Sequence, residues 1–280
     1  YFSCPLCKSD SITFQGKIKA ANPTYYSTIK IQLFNSSELW QCGQCKSSFI
    51  QNAVSEQDAI NLYSRGSSEE RWTKLPFEKV KTDTVISKLT PLLKNGIKIL
   101  DIGCGSGSFL DFAKAKGCQT YGVEYSNSSL ENIIRKGHIG FSSVSEVNEK
   151  FDIITAFDVI EHVYDVPEFL DICKTKLSFK GYLVFLTGNI SCDSAIISKS
   201  NWWYVSYPEH IVFPSKKYFV SYSGLEVFDW ISTYHSTVDQ NSGFLKKLKI
   251  FSKKCLLMKN YNGHPSSNPD HALIILGQAK

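Results

Sequence analysis

A chain of 280 residues has room for one full α/β domain with a small added module. Apolar residues make up 42% and charged residues 20%, with 17 Gly and 9 Pro, a globular balance that excludes collagen-like, low-complexity and largely disordered chains. Lys and Arg exceed Asp and Glu by 31 to 26, a net charge of +5 that suits an anionic ligand and is too small to imply nucleic acid without a localised basic face. No apolar run approaches the roughly 20 residues that span a bilayer. No signal-peptide pattern is visible, although the first residue is Tyr1 rather than Met. The nine cysteines, an odd number spread through a long chain, suit a reducing compartment, so the expected setting is cytoplasmic.

Four of these cysteines are grouped. Cys4-Pro-Leu-Cys7 and Cys42-Gly-Gln-Cys45 are two C-x2-C turns with 34 residues between them. A tight turn of this spacing points two sulfurs at one point, and two such turns supply the four thiolates of a tetrahedral zinc ion. Ser11–Gly16 and Tyr25–Phe34 alternate β-branched and aromatic residues with polar ones, which predicts strands. Trp40 leads into the second turn, and Phe49 and Ile50 follow it. Residues 1–52 therefore resemble a zinc ribbon. Four thiolates close the coordination sphere, so the expected Zn2+ is structural, in a module too small to fold on its apolar core alone. Its lysines (Lys8, Lys17, Lys19, Lys30 and Lys46) are joined by no Arg cluster, so docking or substrate shaping is at least as good an expectation as nucleic-acid binding.

Residues 53–95 read as a helical connector. Ser55 and Asp58 approximate a capping box for a helix running to about Tyr63. A loop follows from Gly66, and the spacing predicts one amphipathic helix from Phe77 to Leu93. From residue 96 to 280, strand and helix alternate. Strands are expected at Ile97–Ile102, Thr120–Val123, Ile139–Ser143, Phe151–Phe157 and Tyr182–Leu186, with helices at Phe109–Lys116, Ser129–Lys136 and Val166–Leu177. Strands separated by short helices pair in parallel through right-handed crossovers, so the fold class is α/β, a Rossmann-like doubly wound sheet.

The first of these strands ends in Asp101-Ile-Gly103-Cys-Gly105-Ser-Gly107. Its G-x-G-x-G spacing differs from the G-x-G-x-x-G turn of dinucleotide binders. The preceding acid would sit poorly beside a pyrophosphate and suits a ligand with an α-ammonium group and a sulfonium. Glu124, at the end of the second strand, is placed to accept both hydroxyls of a ribose. The fourth strand ends in Phe157-Asp158-Val-Ile-Glu161-His162. On these residues the chain, from about Leu75 onward, resembles the class I S-adenosylmethionine-dependent methyltransferases. The segment Asn201-Trp202-Trp203-Tyr204, continuing to Pro208-Glu209-His210, is similar to one in bacterial members that act on sugars and polysaccharide precursors.

The resemblance implies a seven-stranded sheet, completed by Leu225–Ile231 and Ala272–Leu276, with the last strand antiparallel. It implies S-adenosylmethionine as cofactor and S-adenosylhomocysteine as product. Asp101, Gly103, Gly105 and Gly107 would then hold the methionyl end and Glu124 the ribose. Tyr125 would flank the adenine, Ser143 and Val144 would line it, and Phe157 or Asp158 would face the methionine moiety. Cys104, inside the turn, reads as a small packing residue.

Methylating a hydroxyl requires removal of its proton. His210, with a pKa expected near neutrality, is the leading base, His162 is the second candidate, and Glu161 would orient either. Loops at the carboxyl ends of parallel strands form the crevice, so residues 201–215 are expected to roof the acceptor with flat aromatic faces suited to pyranose rings or nucleobases. No Asn/Asp-Pro-Pro-aromatic turn follows the fourth strand and no Pro-Cys pair occurs, which disfavours exocyclic-amine and cytosine C5 methylation. The leading expectation is O-methylation of a sugar, nucleotide sugar or polysaccharide precursor. The alternatives are a ribosomal- or transfer-RNA methyltransferase, a sugar C-methyltransferase, and a non-catalytic binding module of the same fold. Finally, Phe244, Leu248, Phe251, Cys255 and Met258 fall at four- and three-residue steps among Lys246, Lys247, Lys249, Lys253, Lys254 and Lys259. Residues 243–260 thus predict a basic amphipathic helix that covers the sheet or makes a dimer contact, or else meets anionic lipid or a phosphate-bearing acceptor.

Overall fold

The computed structural model describes residues 1–18, 24–26, 28–32, 37–65, 75–222, 224–241 and 268–278, with Gly243, Ser252 and Gly263. The basic helix expected over 243–260 lies outside the described residues apart from Gly243 and Ser252. The amino-terminal strands are β1 (Ile12–Lys17), β2 (Thr24–Tyr26), β3 (Ile29–Ile31), β4 (Glu38–Cys42) and β5 (Ser48–Gln51). β4 pairs antiparallel with both β1 and β5. The strand expected over Tyr25–Phe34 is instead a small separate hairpin of β2 and β3.

Helix α1 (Glu56–Arg65) starts where the sequence places it. The Asp58 amide donates to Ser55 Oγ at 3.2 Å, and that hydroxyl donates back to Asp58 Oδ2 at 2.6 Å. The single helix expected from Phe77 to Leu93 is broken into α2 (Phe77–Val80) and α3 (Asp83–Leu89), followed by a tight turn over Thr90–Leu92. Thr82 causes the break. Its backbone is extended, its Oγ1 caps α3 by accepting from the Val85 amide, and the same hydroxyl meets Thr233 Oγ1 at 2.7 Å in the interior. Phe77, Val85 and Leu89 all bury in one cluster, which is why their spacing reads as one helix.

The remaining elements are β6 (Lys98–Ile102), α4 (Ser108–Lys114), β7 (Gln119–Val123), α5 (Asn127–Arg135), β8 (Ile139–Phe141), β9 (Phe151–Phe157), α6 (Val166–Lys176) and β10 (Leu177–Gly188). They are followed by α7 (Asp193–Ser198), β11 (Val212–Phe213), α8 (Lys216–Ser221), β12 (Glu226–Thr233), α9 (Thr237–Gln240) and β13 (His271–Gly277). The main sheet has seven strands in the order β12-β13-β10-β9-β6-β7-β8. β6 to β10 pair in parallel, and β13 runs antiparallel to both of its neighbours. Successive residues bury on opposite faces: Leu100, Ile154, Phe185 and Ile274 on one, Ile99, Ile153, Val184 and Ile275 on the other. Burial on both sides explains the continuous apolar runs of these strands. Strand order reverses between β6 and β9, so a crevice opens at their carboxyl ends.

The aromatic segment after β10 takes a different place from the one expected. Val212 and Phe213 pair antiparallel with Phe49 and Ser48, which makes β11 the fourth strand of the amino-terminal sheet. The Ile50 amide adds a bond to the Ile211 carbonyl at 2.8 Å. Trp202 and Tyr204 are buried against Leu39, Ile50 and Phe213. Their rings are core between the two sheets and offer no flat face to a ligand; Trp203 is half-buried. Among the described residues, no helix is long and apolar enough to cross a membrane.

Candidate functional site

The glycine-rich turn after β6 takes positive φ at Gly103, Gly105 and Gly107 (68°, 53° and 78°), a region that side chains disfavour. A Cβ on Gly103 would strike Val159 Cγ2 at 2.6 Å, whereas one on Gly105 would meet nothing within 4 Å. A Cβ on Gly107 would meet Ile133 Cγ2 at 2.9 Å, so the turn is packed at both ends and open in its middle. Cys104 fills space against Gly122 and Leu110, buried, as expected of a packing residue.

Two acids flank the open part. The Gly105 amide donates to Glu124 Oε2 at 2.8 Å and the Ser126 amide to Oε1 at 2.8 Å. Each oxygen keeps accepting capacity for a further donor. Burial pushes the Glu124 carboxyl above its usual range despite these bonds. Asp101 is 4% exposed and accepts from Thr155 Oγ1 at 2.7 Å. Burial, with the nearby Glu124 adding to it, outweighs that bond and raises the Asp101 carboxyl to about 7. Tyr125 stands exposed beside Glu124, and half-buried Ser143 caps the turn after β8 by accepting from the Ser145 amide. Phe157 packs against Phe77 and Phe109, with ring centroids at 5.7 and 5.0 Å.

A second group lies past β9. Asp158 has φ 55° and pairs with Lys81 at 2.8 Å. Burial would raise its carboxyl, but Lys81, His235 and His271 outweigh burial and hold it well below the usual carboxylate range. Glu161 is fully buried; its oxygens accept from Thr187 Oγ1 at 2.9 Å and from the Tyr204 hydroxyl. Burial pushes its carboxyl up as well. His162 Nδ1 lies 2.9 Å from the Glu209 carbonyl and 2.9 Å from Tyr63 Oη, and His210 Nδ1 lies 2.7 Å from the Tyr204 carbonyl. A carbonyl oxygen only accepts, so both rings carry their proton on Nδ1 and leave Nε2 as a lone pair. The two rings meet edge to face at 4.8 Å.

Two expectations change here. His210 is half-buried, and the desolvation of its ring, with His162 adding to it, holds its pKa well below the ordinary value rather than near neutrality. Glu161 does not bond either imidazole directly; it grips Tyr204, whose carbonyl in turn holds His210. Thr155, Lys81, His235 and His271 join the site without having been singled out, and Tyr204, expected in the aromatic roof, serves instead to hold Glu161 and His210. Each is an isolated residue whose place depends on pairings far along the chain.

The four amino-terminal thiols converge, with one ligand atom from each within 4.8 Å of the others. Cys4 Sγ and Cys45 Sγ are 3.7 Å apart, and Cys7 Sγ and Cys42 Sγ are 3.5 Å apart. Sulfurs at about 2.3 Å around a tetrahedral ion stand about 3.8 Å apart, and a disulfide would need about 2.05 Å. The set thus has the donor chemistry and spacing of a tetrathiolate site. The contact from Cys4 lowers the Cys45 pKa to about 5, and the Cys45 amide donates to Cys42 Sγ at 3.4 Å.

The sequence profile of the family described as "Methyltransferase domain" matches residues 73–222. A ubiquinone biosynthesis O-methyltransferase of Bradyrhizobium diazoefficiens is 36% identical over 103 residues, covering 34% of this chain and 41% of that protein. One from Rhodopseudomonas palustris is 34% identical over 104 residues, with 34% and 41% covered. The chain thus spans about 41% of the length of these curated relatives. Among solved structures, N-methyltransferase NodS of Bradyrhizobium japonicum WM9 in complex with S-adenosylhomocysteine aligns with a TM-score of 0.50 at 12% identity, covering 80% of this chain and 98% of that one. A chain from the complex between the Haloferax volcanii Trm112 methyltransferase activator and a methyltransferase aligns with a TM-score of 0.51 at 12% identity, covering 71% and 95%. At this identity the likeness shows the fold.

Proposed function

This chain belongs to the methyltransferase domain family, and from that premise we propose that it is an S-adenosylmethionine-dependent methyltransferase that methylates a hydroxyl group of a small-molecule acceptor with His210 as general base. S-adenosylmethionine, when bound, supplies an electrophilic methyl group on a cationic sulfur. Asp101 is assigned to accept from the α-ammonium, and Glu124 from the ribose hydroxyls. Gly103, Gly105 and Gly107 shape the turn, whose open middle gives the methionyl chain clearance. Tyr125 and Ser143 are assigned to the adenine, and Phe157 and Asp158 to the methionine end.

The observation that carries the base assignment is the tautomer of His210. Its Nδ1–H is committed to the Tyr204 carbonyl, so the neutral ring holds an Nε2 lone pair ready. As the acceptor oxygen forms its bond to the methyl carbon, the carbon–sulfur bond breaks, and the hydroxyl proton passes to that nitrogen. Glu161 acts through Tyr204 as a positioning residue, and His162 presents a second lone pair beside the first. Oxygen as the acceptor atom is supported by the relatives named as O-methyltransferases. The acceptor is put as a small hydroxylated molecule rather than a sugar because Trp202 and Tyr204 are core, which removes the aromatic platform a pyranose would use. Zinc on Cys4, Cys7, Cys42 and Cys45 is proposed as structural, since four thiolates leave no open position.

The test is methyl transfer from radiolabelled S-adenosylmethionine to a panel of phenols and sugars, alongside calorimetry with S-adenosylhomocysteine. His210→Ala should lower turnover about 10²–10⁴-fold with product affinity unchanged. Turnover within a few-fold of the parent would overturn the base assignment.

A further inference from the structure

We propose that Asp158, His235 and His271 form a second metal site, open on one side, for a divalent transition-metal ion such as zinc. Strand register brings the three together. Thr233 and Gly188 both stand opposite His271 across the ladders of β13, so His235, just past the end of β12, folds back beside it. The Asp158 amide bonds the Leu186 carbonyl at 2.8 Å, which sets its side chain at the same edge. One ligand atom from each residue lies within 4.8 Å of the others.

The donors are orphaned in the way an absent ion would leave them. His271 and Asp270 side chains are both 0% exposed, with Nδ1 at 2.9 Å from Asp270 Oδ1. The carboxylate oxygen accepts there, so the neutral ring offers Nε2 as a lone pair to an ion, and that nitrogen is buried with no partner among the described residues. Asp158 Oδ1 is buried and partnerless in the same way. A buried acceptor without a donor is costly, and two facing one small space are best explained by a cation between them. The supporting groups fit too. Asp270 accepts from Trp203 Nε1 at 2.5 Å, and His235 Nδ1 faces Asp239 Oδ2 at 3.6 Å. Carboxylates behind imidazoles fix the ring and tautomer of metal-binding histidines.

The neighbouring group of Glu161, His162 and His210 does not offer the same vacancy, because both Glu161 oxygens already accept hydrogen bonds. Lys81 holds the other oxygen of Asp158, Oδ2, and leaves Oδ1 to the ion. Two imidazoles and one carboxylate complete only part of a coordination sphere, unlike the four thiolates. The remaining positions would face the crevice, where an ion polarises an oxygen ligand. The site would take Asp158 from the methionine end, leaving Phe157 there, and it stands independently of the proposed acceptor and base.

The experiment is metal analysis of the full chain, stripped with chelator, reloaded with Zn2+ and freed of excess metal by gel filtration. His235→Ala and His271→Ala should each carry one equivalent less than the parent, whatever the four thiols hold. Circular dichroism checks the fold; if the buried His271 variant fails it, His235→Ala at its half-exposed position decides. Both variants retaining the parent's zinc content would overturn the proposal.

Discussion

Lowering the pH should weaken the binding of S-adenosylhomocysteine to this chain, and Asp101 sets where. Its carboxyl is raised to about 7 because burial disfavours the charge more than the Thr155 bond restores it. On the proposed assignment of Asp101, the ligand's α-ammonium needs the ionised form. The sign follows directly: an acid raised to this value is charged above it and neutral below, so affinity is complete above about pH 7 and lost as the pH falls through it. The apparent dissociation constant scales with one plus the ratio of protonated to ionised carboxyl. That factor is about 11 at pH 6, about 2 at pH 7 and about 1.1 at pH 8, a weakening of about tenfold across the range. Calorimetric titration at the three pH values reads it. Asp101→Asn keeps the shape and an acceptor for Thr155 but removes the titration, so its affinity should be low and flat. A parent affinity that is the same at pH 6 and pH 8, or an Asn variant as tight as the parent at pH 8, would refute the reasoning.

Trp202→Ala should cost about 3–5 kcal/mol in urea unfolding, the range for emptying a buried aromatic site, because the side chain is 1% exposed between the two sheets. Trp202→Phe should stay within about 1–2 kcal/mol, since the smaller ring also removes an indole N–H that has no partner among the described residues. A raised KM with unaltered stability would mark Trp202 as a ligand platform instead. Cys45→Ser should lower the zinc content of the purified chain by one equivalent; an unchanged content would remove the ion from the four thiols.

The alternation of strand and helix from Ile97 to Leu186 was legible because both faces of those strands bury, and their apolar runs are separated by short amphipathic helices. Asp101, Gly105 and Glu124 were legible for a local reason: strand-end acids and left-handed glycines mark their positions in the chain itself. The break at Thr82 was not, because an N-cap embedded in a helical pattern declares itself only through its bond to Thr233. The placing of Trp202 and Tyr204 depended on β11 pairing with β5, a ladder between segments far apart in sequence. His235 and His271 carry no spacing signal. They meet only because β12 and β13 run antiparallel in one register, and four of the six histidines in the chain gather at that edge through such long-range pairings.

The ladder between β5 and β11 has a consequence for how the enzyme is controlled. His210 lies two residues before Val212, and the loop that carries it is held in place by Phe49 and Ile50 from the cysteine-bearing half of the molecule. Asp101 and Glu124 take their support from β6 and β7 instead. On the proposed assignments, affinity for the methyl donor and competence to deprotonate an acceptor are thus anchored in different sheets. On the same proposed assignments, chelating a metal from the four thiols is expected to lower turnover at nearly constant cofactor occupancy.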